Sequence, residues 1–337
     1  MKKLIKISLL VAIVIITLIF VAFFYFFVGK APKAKNILWG VNFSQMQAEA
    51  LRLDWQKTYL ALFDELGVKN IKLLTQWDWI EGKKDDYYFN DIDWQVSEAE
   101  KYGAKLIYVV GIKTGRWPEC HIPSWAQGLS KKEQQTEIIK YIREVILRYK
   151  NSKAITAWQV ENEPLLVFGQ CPWYDKSFLK KEVELVKSLD VTRPIIISDS
   201  GELSSWFSVA KIGDIVGTTI YRKAWVSITD NLGFYGTYPI PPVFYWRKAQ
   251  LISKIFNKKV ISVELQTEPW AQRPFYDVLV EEQEKTMNLS QFKKNIKYAK
   301  NTGLDTFYLW GAEWWYWMKE TQNRPEIWNE AKKLFTN

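Results

Sequence analysis

Short apolar runs alternate with amphipathic patterns along the chain from residue 36 onward. The runs are rich in Val, Ile and Leu, which is typical of strands buried in a parallel sheet. The segments between them repeat apolar residues every three or four positions, which predicts helices packed on one face. Strands are predicted at 37–43, 71–75, 105–110, 154–161, 194–198, 215–220, 260–264 and 305–310, and helices at 54–66, 91–103, 131–149, 176–189, 202–210, 241–256, 288–301 and 325–335.

Eight strand-then-helix units define the predicted fold. Apolar strands that alternate with helices imply a parallel sheet covered by helices, an α/β architecture. Eight such units predict one closed (β/α)8 TIM barrel over residues 36–337. A doubly wound open sheet is the alternative. That fold would carry a glycine-rich phosphate turn after an early strand, and the chain contains no G-x-G-x-x-G.

The first residues of the chain read as a membrane segment. Three lysines precede an apolar run at 7–28 that has no charge, and at ~1.5 Å per residue about twenty residues span the ~30 Å hydrocarbon core. A cleaved signal peptide is the alternative, but its apolar region is usually about 7–15 residues and ends in small residues. This run ends in Phe-Phe-Tyr-Phe-Phe-Val. We therefore predict a cytoplasmic tip at 1–6, a transmembrane signal anchor at 7–28, a linker at 29–35 and a barrel outside the membrane.

The net charge of +9 is concentrated in these first residues. Six lysines and no acidic residue lie in residues 1–35, which leaves +3 for the remainder and no basic stripe, so we predict no nucleic-acid partner. Three of the lysines precede the apolar run and three follow it, so only the α-amino group of Met1 favours a cytoplasmic N-terminus. The chain has a single histidine and no C-x-x-C, and we expect no metal and no cofactor.

Acidic residues stand where two predicted strands end. The fourth strand runs into Asn162, Glu163 and Pro164, and the seventh strand ends at Glu264. The carboxyl ends of barrel strands meet at one face and carry the active site of such enzymes. Two carboxylates in one cleft are the equipment for glycoside hydrolysis, where one donates a proton and the other attacks the anomeric carbon or activates water.

Tryptophans are unusually frequent in the predicted strand-to-helix loops, and the chain has 18 of them in all. Their faces stack on sugar rings and their N–H groups donate hydrogen bonds. Eighteen are too many for one barrel core, although core packing explains any single one equally well. We predict that four of them contact substrate: Trp77, Trp270, Trp310 and Trp314.

The Asn162-Glu163-Pro164 ending of strand four, the Glu264 ending of strand seven and the Trp310 ending of strand eight resemble the clan A glycoside hydrolases. These are retaining β-glycosidases of cellulase and mannanase type on (β/α)8 barrels, and the resemblance covers about residues 37–335. It implies that Glu163 is the acid/base and Glu264 the nucleophile, about 5–5.5 Å apart.

The resemblance also implies roles for three further residues. Asn162 would bind the sugar 2-hydroxyl, and Tyr221, at the end of strand six, would donate a hydrogen bond to the nucleophile. Trp310 would form the floor of the subsite where the bond breaks, followed by a non-proline cis peptide. Strict alternation along a strand, in contrast, aims Glu161 and Glu163 to one side and Asn162 to the other.

Two other readings of the acids remain open. Glu163 and Glu264 could be solvated acids at strand ends, or Glu268, four residues after Glu264, could be the nucleophile. The chain also departs from the largest family of the clan at three positions. Lys72 replaces a strand-two arginine, Thr219 replaces a histidine two residues before the strand-six tyrosine, and Gly111 stands where strand three usually ends in histidine. The assignment therefore stays at the level of the clan.

The two cysteines fall in neighbouring loops of the same face. Cys120 follows strand three and Cys171 follows strand four, and outside the cytoplasm we predict a disulfide between them. Together these patterns predict a monomeric, membrane-anchored retaining β-glycosidase that cuts a mannan- or glucan-type glycan. The alternatives are an inactive barrel that binds carbohydrate and a cell-wall transglycosylase that uses the same two glutamates.

Overall fold

The computed structural model describes residues 2–229 and 232–336. Eight parallel strands close into a barrel in the order β1-β10-β9-β6-β5-β4-β3-β2, which confirms the predicted (β/α)8 fold. Met1, whose α-amino group enters the orientation prediction, and Asn337, the last residue of the predicted domain, lie outside the described residues. The barrel strands are β1 Leu38–Ser44, β2 Asn70–Leu74, β3 Lys105–Val110, β4 Ile155–Val160, β5 Ile195–Asp199, β6 Ile215–Ile220, β9 Lys259–Gln266 and β10 Thr306–Trp310; β7 Lys223–Thr229 and β8 Leu232–Thr237 form a separate hairpin.

Helices surround the barrel and follow its strands in order. The long helix α7 illustrates how the sequence sets their starts, because Ser130 and Glu133 form a reciprocal capping box at its first turn. The helices are α1 Lys2–Phe27, α2 Gln45–Ala50, α3 Trp55–Asp64, α4 Trp77–Ile80, α5 Asn90–Lys101, α6 Ser124–Gln127, α7 Lys131–Tyr149, α8 Lys176–Leu189, α9 Phe207–Ala210, α10 Pro242–Phe256, α11 Val280–Gln283, α12 Leu289–Lys300, α13 Ala312–Glu320 and α14 Glu326–Lys332, with a 3₁₀ turn at Phe275–Asp277.

One predicted helix is mostly a turn. The pattern at 202–210 predicts a full helix, but the structure has only α9, from Phe207 to Ala210. Lys248 donates hydrogen bonds to the carbonyl groups of Gly201 and Ser204, and the indole of Trp206 donates to Ser200. These tertiary bonds hold the first half of the segment as a loop, so the prediction was wrong there.

Buried apolar side chains form two main clusters, besides a small third one of Leu74, Val109 and Trp310. The larger core lies between the barrel wall and the helices, where Trp158, Tyr141 and Val186 are fully buried. A smaller cluster fills the barrel interior, with members from β3, β4, β5, β9 and β10, as layered packing of such barrels requires. Its members are Ile107, Ala157, Ile196, Ile261, Val263 and Tyr308.

The N-terminal helix leaves the barrel except at its last turn. An 18-residue window within residues 6–27 has a mean hydropathy of 3.2, and no residue of that window is buried in the protein. The ring of Phe27 lies 5.1 Å from that of Phe244 in α10, and the guanidinium of Arg247 lies 4.7 Å from the ring of Tyr25. Length and composition fit both a membrane anchor and a signal peptide.

The predicted disulfide is present and joins Cys120 to Cys171. It ties the loop after β3 to the loop after β4. Both loops belong to the face where the barrel strands end. The bond therefore fastens two walls of the region that the sequence predicts to hold the active site.

Removing this disulfide is expected to lower the free energy of unfolding by roughly 4 kcal/mol, because it closes a loop of 51 residues. Urea unfolding of the full chain in detergent, compared with the Cys120→Ala/Cys171→Ala variant, measures the difference. Reductant should shift the wild type toward the variant and leave the variant unchanged. Equal stability with and without reductant would show that the bond does not constrain the chain.

Candidate active site

At the end of β4, the consecutive side chains of Asn162 and Glu163 both face the mouth of the barrel. Glu161 and Glu163 have positive φ angles of 62° and 45°, a conformation that non-glycine residues seldom adopt and that clusters at functional sites. As a result Asn162 accepts a hydrogen bond from Lys72 Nζ at 3.1 Å, and Glu163 Oε1 accepts one from Thr219 Oγ1 at 3.1 Å. Strict alternation therefore fails here, and both side chains face the cleft.

Glu161 points the other way and fixes the loop after β3. Its carboxylate accepts hydrogen bonds from the backbone N–H groups of Ile112 at 2.9 Å and Lys113 at 2.5 Å. Gly111 has a φ of 126°, and a Cβ at this position would collide with that carboxylate. A histidine, which the clan's largest family carries near this position, does not fit beside Glu161, which accounts for the glycine.

Glu264 reaches the same cleft through a bulge in β9. Thr218 pairs with Ser262 and Thr219 pairs with Glu264, so Val263 is the extra residue. Bulges of this kind re-aim side chains next to active sites. The carboxylate of Glu264 accepts hydrogen bonds from Lys72 Nζ at 3.0 Å and from the Tyr221 hydroxyl at 2.9 Å.

Lys72 is the central cation of this cleft. Its side chain is fully buried, and its ammonium contacts Glu264 and Asn162 while lying 5.6 Å from the ring of Trp310. The substitution of lysine for the usual strand-two arginine therefore preserves a positive charge beside the seventh-strand carboxylate. Thr219 likewise supplies a donor to Glu163 at the position where the largest family has histidine.

The two acids have different electrostatic surroundings. Burial raises the pKa of Glu163 well above its ordinary value, and the nearby charges of Glu264 and Glu119 raise it further. Glu264 lies instead beside a buried cation and a hydroxyl donor. Glu163 is only 8 % exposed and Glu264 only 2 %, so the reading of both as solvated acids at strand ends does not hold.

Glu268 is committed to a different network. Arg116 forms ion pairs with Glu268 and with Glu313, the latter at 3.0 Å, and Glu313 also accepts a hydrogen bond from the Ser44 N–H at 2.5 Å. Burial raises the pKa of Glu268 to about 7 despite the opposing effect of Arg116. Because this raised pKa disfavours the carboxylate form that a nucleophile needs, Glu264 and not Glu268 stays the candidate nucleophile.

Arg116 also supports the aromatic floor of the cleft, a role that the sequence did not indicate. Its guanidinium lies 4.2 Å from the ring centroid of Trp310, and the two ion pairs hold it there. Trp310 is 7 % exposed at the end of β10. Trp270 is half-buried and meets Tyr221 edge-to-face with ring centroids 5.0 Å apart. Trp310 thus lies near Lys72 and Trp270 against Tyr221, the two donors to Glu264.

The structure places Trp77 and Trp314 elsewhere, which corrects their predicted role in substrate binding. Both are fully buried. The Trp77 indole donates to Glu81 at 2.7 Å, and the Trp314 indole donates to Gln283 at 2.7 Å. Each ring is thus enclosed by the protein and presents no face to a sugar.

The peptide bond after Trp310 is also not as predicted. Among residues 2–229 and 232–336, the only cis peptide bond is Trp117–Pro118. Gly311 follows Trp310 with a φ of 135°, a conformation open to glycine that lets the chain turn into α13 with a trans bond. Within the same described residues, no group of three His, Cys, Asp or Glu side chains could hold a metal ion.

The chain is similar to known glycoside hydrolases in two comparisons of sequence. The family described as "Glycosyl hydrolase family 10" matches residues 30–179. "Probable mannan endo-1,4-beta-mannosidase A" of Aspergillus niger is 32% identical over 121 residues, which cover 33% of this chain and 30% of that protein. "Mannan endo-1,4-beta-mannosidase A" of Aspergillus aculeatus is 31% identical over 121 residues, which cover 33% and 31%. The chain therefore spans less than a third of the length of these relatives.

Solved structures share the fold at low identity. Native xylanase 10B from Thermotoga maritima superposes with a TM-score of 0.57 and 15% identity, covering 88% of this chain and 95% of that one. A GH5_18 protein from Bifidobacterium longum superposes with a TM-score of 0.57 and 13% identity, covering 82% and 68%. At such identity these likenesses bear on the barrel alone.

The barrel, the family match and the mannanase relatives together fit a clan A glycoside hydrolase of cellulase or mannanase type. This is the class predicted from the strand endings of the sequence. The family match ends at residue 179, and so includes Glu163 but not Glu264.

Proposed function

We propose that this chain is a retaining β-glycoside hydrolase that works by double displacement, with Glu163 as acid/base and Glu264 as nucleophile. The observation that carries the proposal is the contrast between the two buried carboxyls. The pKa of Glu163 is raised, so it can hold a proton for the leaving oxygen, whereas both oxygens of Glu264 accept hydrogen bonds, one from Lys72 and one from the Tyr221 hydroxyl.

The first step uses these two side chains on opposite sides of the scissile bond. Glu163 protonates the glycosidic oxygen while Glu264 attacks the anomeric carbon and forms a glycosyl–enzyme ester. In the second step Glu163, now ionised, removes a proton from water, which displaces Glu264 and releases the sugar with its original β configuration. This scheme requires carboxyl groups about 5–5.5 Å apart, which we expect.

The cleft around the acids supports binding of a sugar ring. Asn162 Oδ1 is occupied by Lys72 and by Gln159 at 3.0 Å, which orients its amide and leaves Nδ2 to donate to the sugar 2-hydroxyl. The Arg116 guanidinium lies 4.2 Å from the Trp310 ring on one face, and we propose that the other face stacks on the sugar. Trp270, against Tyr221, would extend this surface toward the next sugar.

The mannanase relatives favour a β-1,4-linked mannan as the substrate class, with glucan next. We expect the full chain in detergent to release oligosaccharides from mannan faster than from xylan or cellulose. Proton NMR of the first product should show the β anomer before mutarotation, which tests retention directly. An initial α anomer would contradict the double displacement, and inactivity on every β-glycan would favour a barrel that only binds carbohydrate.

We also propose that the chain is organised around a retained anchor. Residues 1–6 would remain in the cytoplasm, 7–28 would cross the membrane, and a linker at 29–35 would lead to a catalytic domain at 36–337 outside it. The disulfide supports an oxidising location for the barrel. No partner other than the glycan and the membrane is needed for this chemistry, so we expect a monomer.

A further inference from the structure

The hairpin formed by β7 and β8 presents an apolar face to the outside. It follows the end of β6, on the side of the barrel where the candidate site lies, and a short loop connects its second strand to α10. Its two strands pair Val226 with Phe234, and these side chains are 39 % and 53 % exposed. Ile228 and Leu232, nearer the tip, are 63 % and 58 % exposed.

The opposite face of the hairpin is used by the barrel. Trp225 and Tyr235 form a cross-strand pair with ring centroids 5.0 Å apart, and the hydroxyl of Tyr235 donates to Glu282 in α11. The Tyr235 ring also lies 5.5 Å from Lys285 Nζ. These contacts orient the hairpin, so the exposed apolar side chains are not required for packing against the barrel.

The N-terminal helix ends beside this hairpin. Only a few residues separate Thr237, where β8 ends, from Phe244, against which Phe26 and Phe27 pack with ring centroids 5.9 Å and 5.1 Å apart. The base of the hairpin is fixed to the same region, because Arg222 accepts a hydrogen bond from the Tyr238 N–H and donates one to the carbonyl of Ile240.

The length of the helix sets the level of the membrane at this point. Residues 6–27 at ~1.5 Å per residue extend about 33 Å, which matches the ~30 Å hydrocarbon core. Phe27 therefore falls at the outer boundary of the bilayer, where aromatic and basic side chains such as Tyr25 and Arg247 concentrate. A hairpin of about 20 Å rooted beside that boundary can reach the lipid surface.

We propose that the apolar face of the β7–β8 hairpin lies on the outer membrane interface, as a second contact beside the N-terminal helix. The bilayer covers Val226, Ile228, Leu232 and Phe234, and the rim of the barrel from which the hairpin rises is held near the membrane surface. The inference rests on retention of the N-terminal helix and does not depend on the glycosidase activity. Within the described residues of the hairpin strands, Lys223 at the base is the only charged one. Burying this face against lipid therefore places no charged side chain of those residues in the membrane interface.

Site-directed fluorescence tests this contact. Neither cysteine of the chain is free, because both are in the disulfide, so a single introduced cysteine can be labelled with an environment-sensitive dye. The full chain carrying Ile228→Cys or Leu232→Cys is reconstituted in nanodiscs of phosphatidylcholine and phosphatidylglycerol. We expect a blue-shifted emission, quenched by lipids with a spin label high on the acyl chain, since interfacial segments sit about 5–10 Å into the boundary.

Val191→Cys is the matched control, because this apolar residue is 84 % exposed between α8 and β5, away from the hairpin. Its label should keep the emission of an aqueous dye in the same nanodiscs. Equal quenching at 191, 228 and 232, or none at 228 and 232, would overturn the proposal. A blue shift that depends on protein density and not on the spin-labelled lipid would also overturn it, because a second copy would then cover the face.

Discussion

Replacing Glu163 with glutamine is expected to reduce kcat on β-glycans by about 10²–10⁴. Glutamine keeps the size of the side chain and can still accept the hydrogen bond from Thr219, but it cannot give a proton to the departing sugar oxygen. The loss in the first step should be small for a dinitrophenyl β-glycoside, whose leaving group needs no protonation. Initial rates on the glycan and on the activated glycoside measure this difference. Azide should raise the rate of the variant on the activated glycoside, because it displaces Glu264 in the second step without help from a base.

The pH dependence gives the same assignment independently. Burial and Glu264 raise the pKa of Glu163, and the first step needs its protonated form. Activity should therefore be present below that raised pKa and fall as the pH rises through it, well above the ordinary range of a carboxyl. The limb should be present for the wild type on the glycan and absent on the activated glycoside, whose leaving group needs no proton from Glu163.

Glu264→Gln is the isosteric comparator for this experiment. Without a nucleophile no glycosyl ester forms, so this variant should be inactive on the glycan and on the activated glycoside alike. Wild-type rates in the Glu163→Gln variant would exclude Glu163 as the acid/base. A variant of Glu268 that lost activity while Glu264→Gln kept it would restore the alternative nucleophile.

The barrel could be predicted because its signals are local. Apolar runs of strand length, helical periodicity and capping residues such as Ser130 specify each element, and eight repeats leave few ways to arrange them. The strands at 105–110 and 215–220 and the helices at 131–149 and 176–189 lie where the pattern predicts. The β7–β8 hairpin was missed, although Val226, Ile228, Leu232 and Phe234 alternate with other residues as a strand pattern does.

The orientation of the candidate site residues could not be predicted in the same way. Asn162 and Glu163 both face the cleft because the backbone adopts positive φ at Glu161 and Glu163, and Glu264 is aimed by the bulge at Val263. Neither feature follows from residue type, since non-glycine residues seldom adopt positive φ. These irregularities are where local rules fail, as is expected at functional sites.

Which tryptophans line the cleft could not be predicted from the sequence either. Composition indicates that many must lie outside the barrel core, yet nothing in the sequence distinguishes Trp310, which lines the cleft, from Trp77 and Trp314, which are fully buried. Their partners decide the matter, and those partners are distant in sequence. Arg116, for example, packs on Trp310 because the fold brings the loop after β3 across to the end of β10.

Lys72→Met is expected to lower the free energy of unfolding by about 3–5 kcal/mol, since it leaves Glu264 as a buried charge without its cation. The variant should also lose activity, because Lys72 holds Asn162 as well as Glu264. Urea unfolding of the full chain in detergent measures the stability. Lys259→Met is the matched control: its ion pair with Asp305 is about half exposed at both ends, and such pairs contribute about 0–1 kcal/mol.

The double variant Lys72→Met/Glu264→Gln separates loss of the charge pair from damage to packing. Removing both charges eliminates the unpaired carboxylate, so the double variant should regain most of the stability lost in Lys72→Met, although it remains inactive. If instead the two single effects simply add, Lys72 acts through its packing in the barrel interior and not as the partner of Glu264. Recovery of stability would mean that the lysine acts chiefly by offsetting the charge of the Glu264 carboxylate inside the barrel.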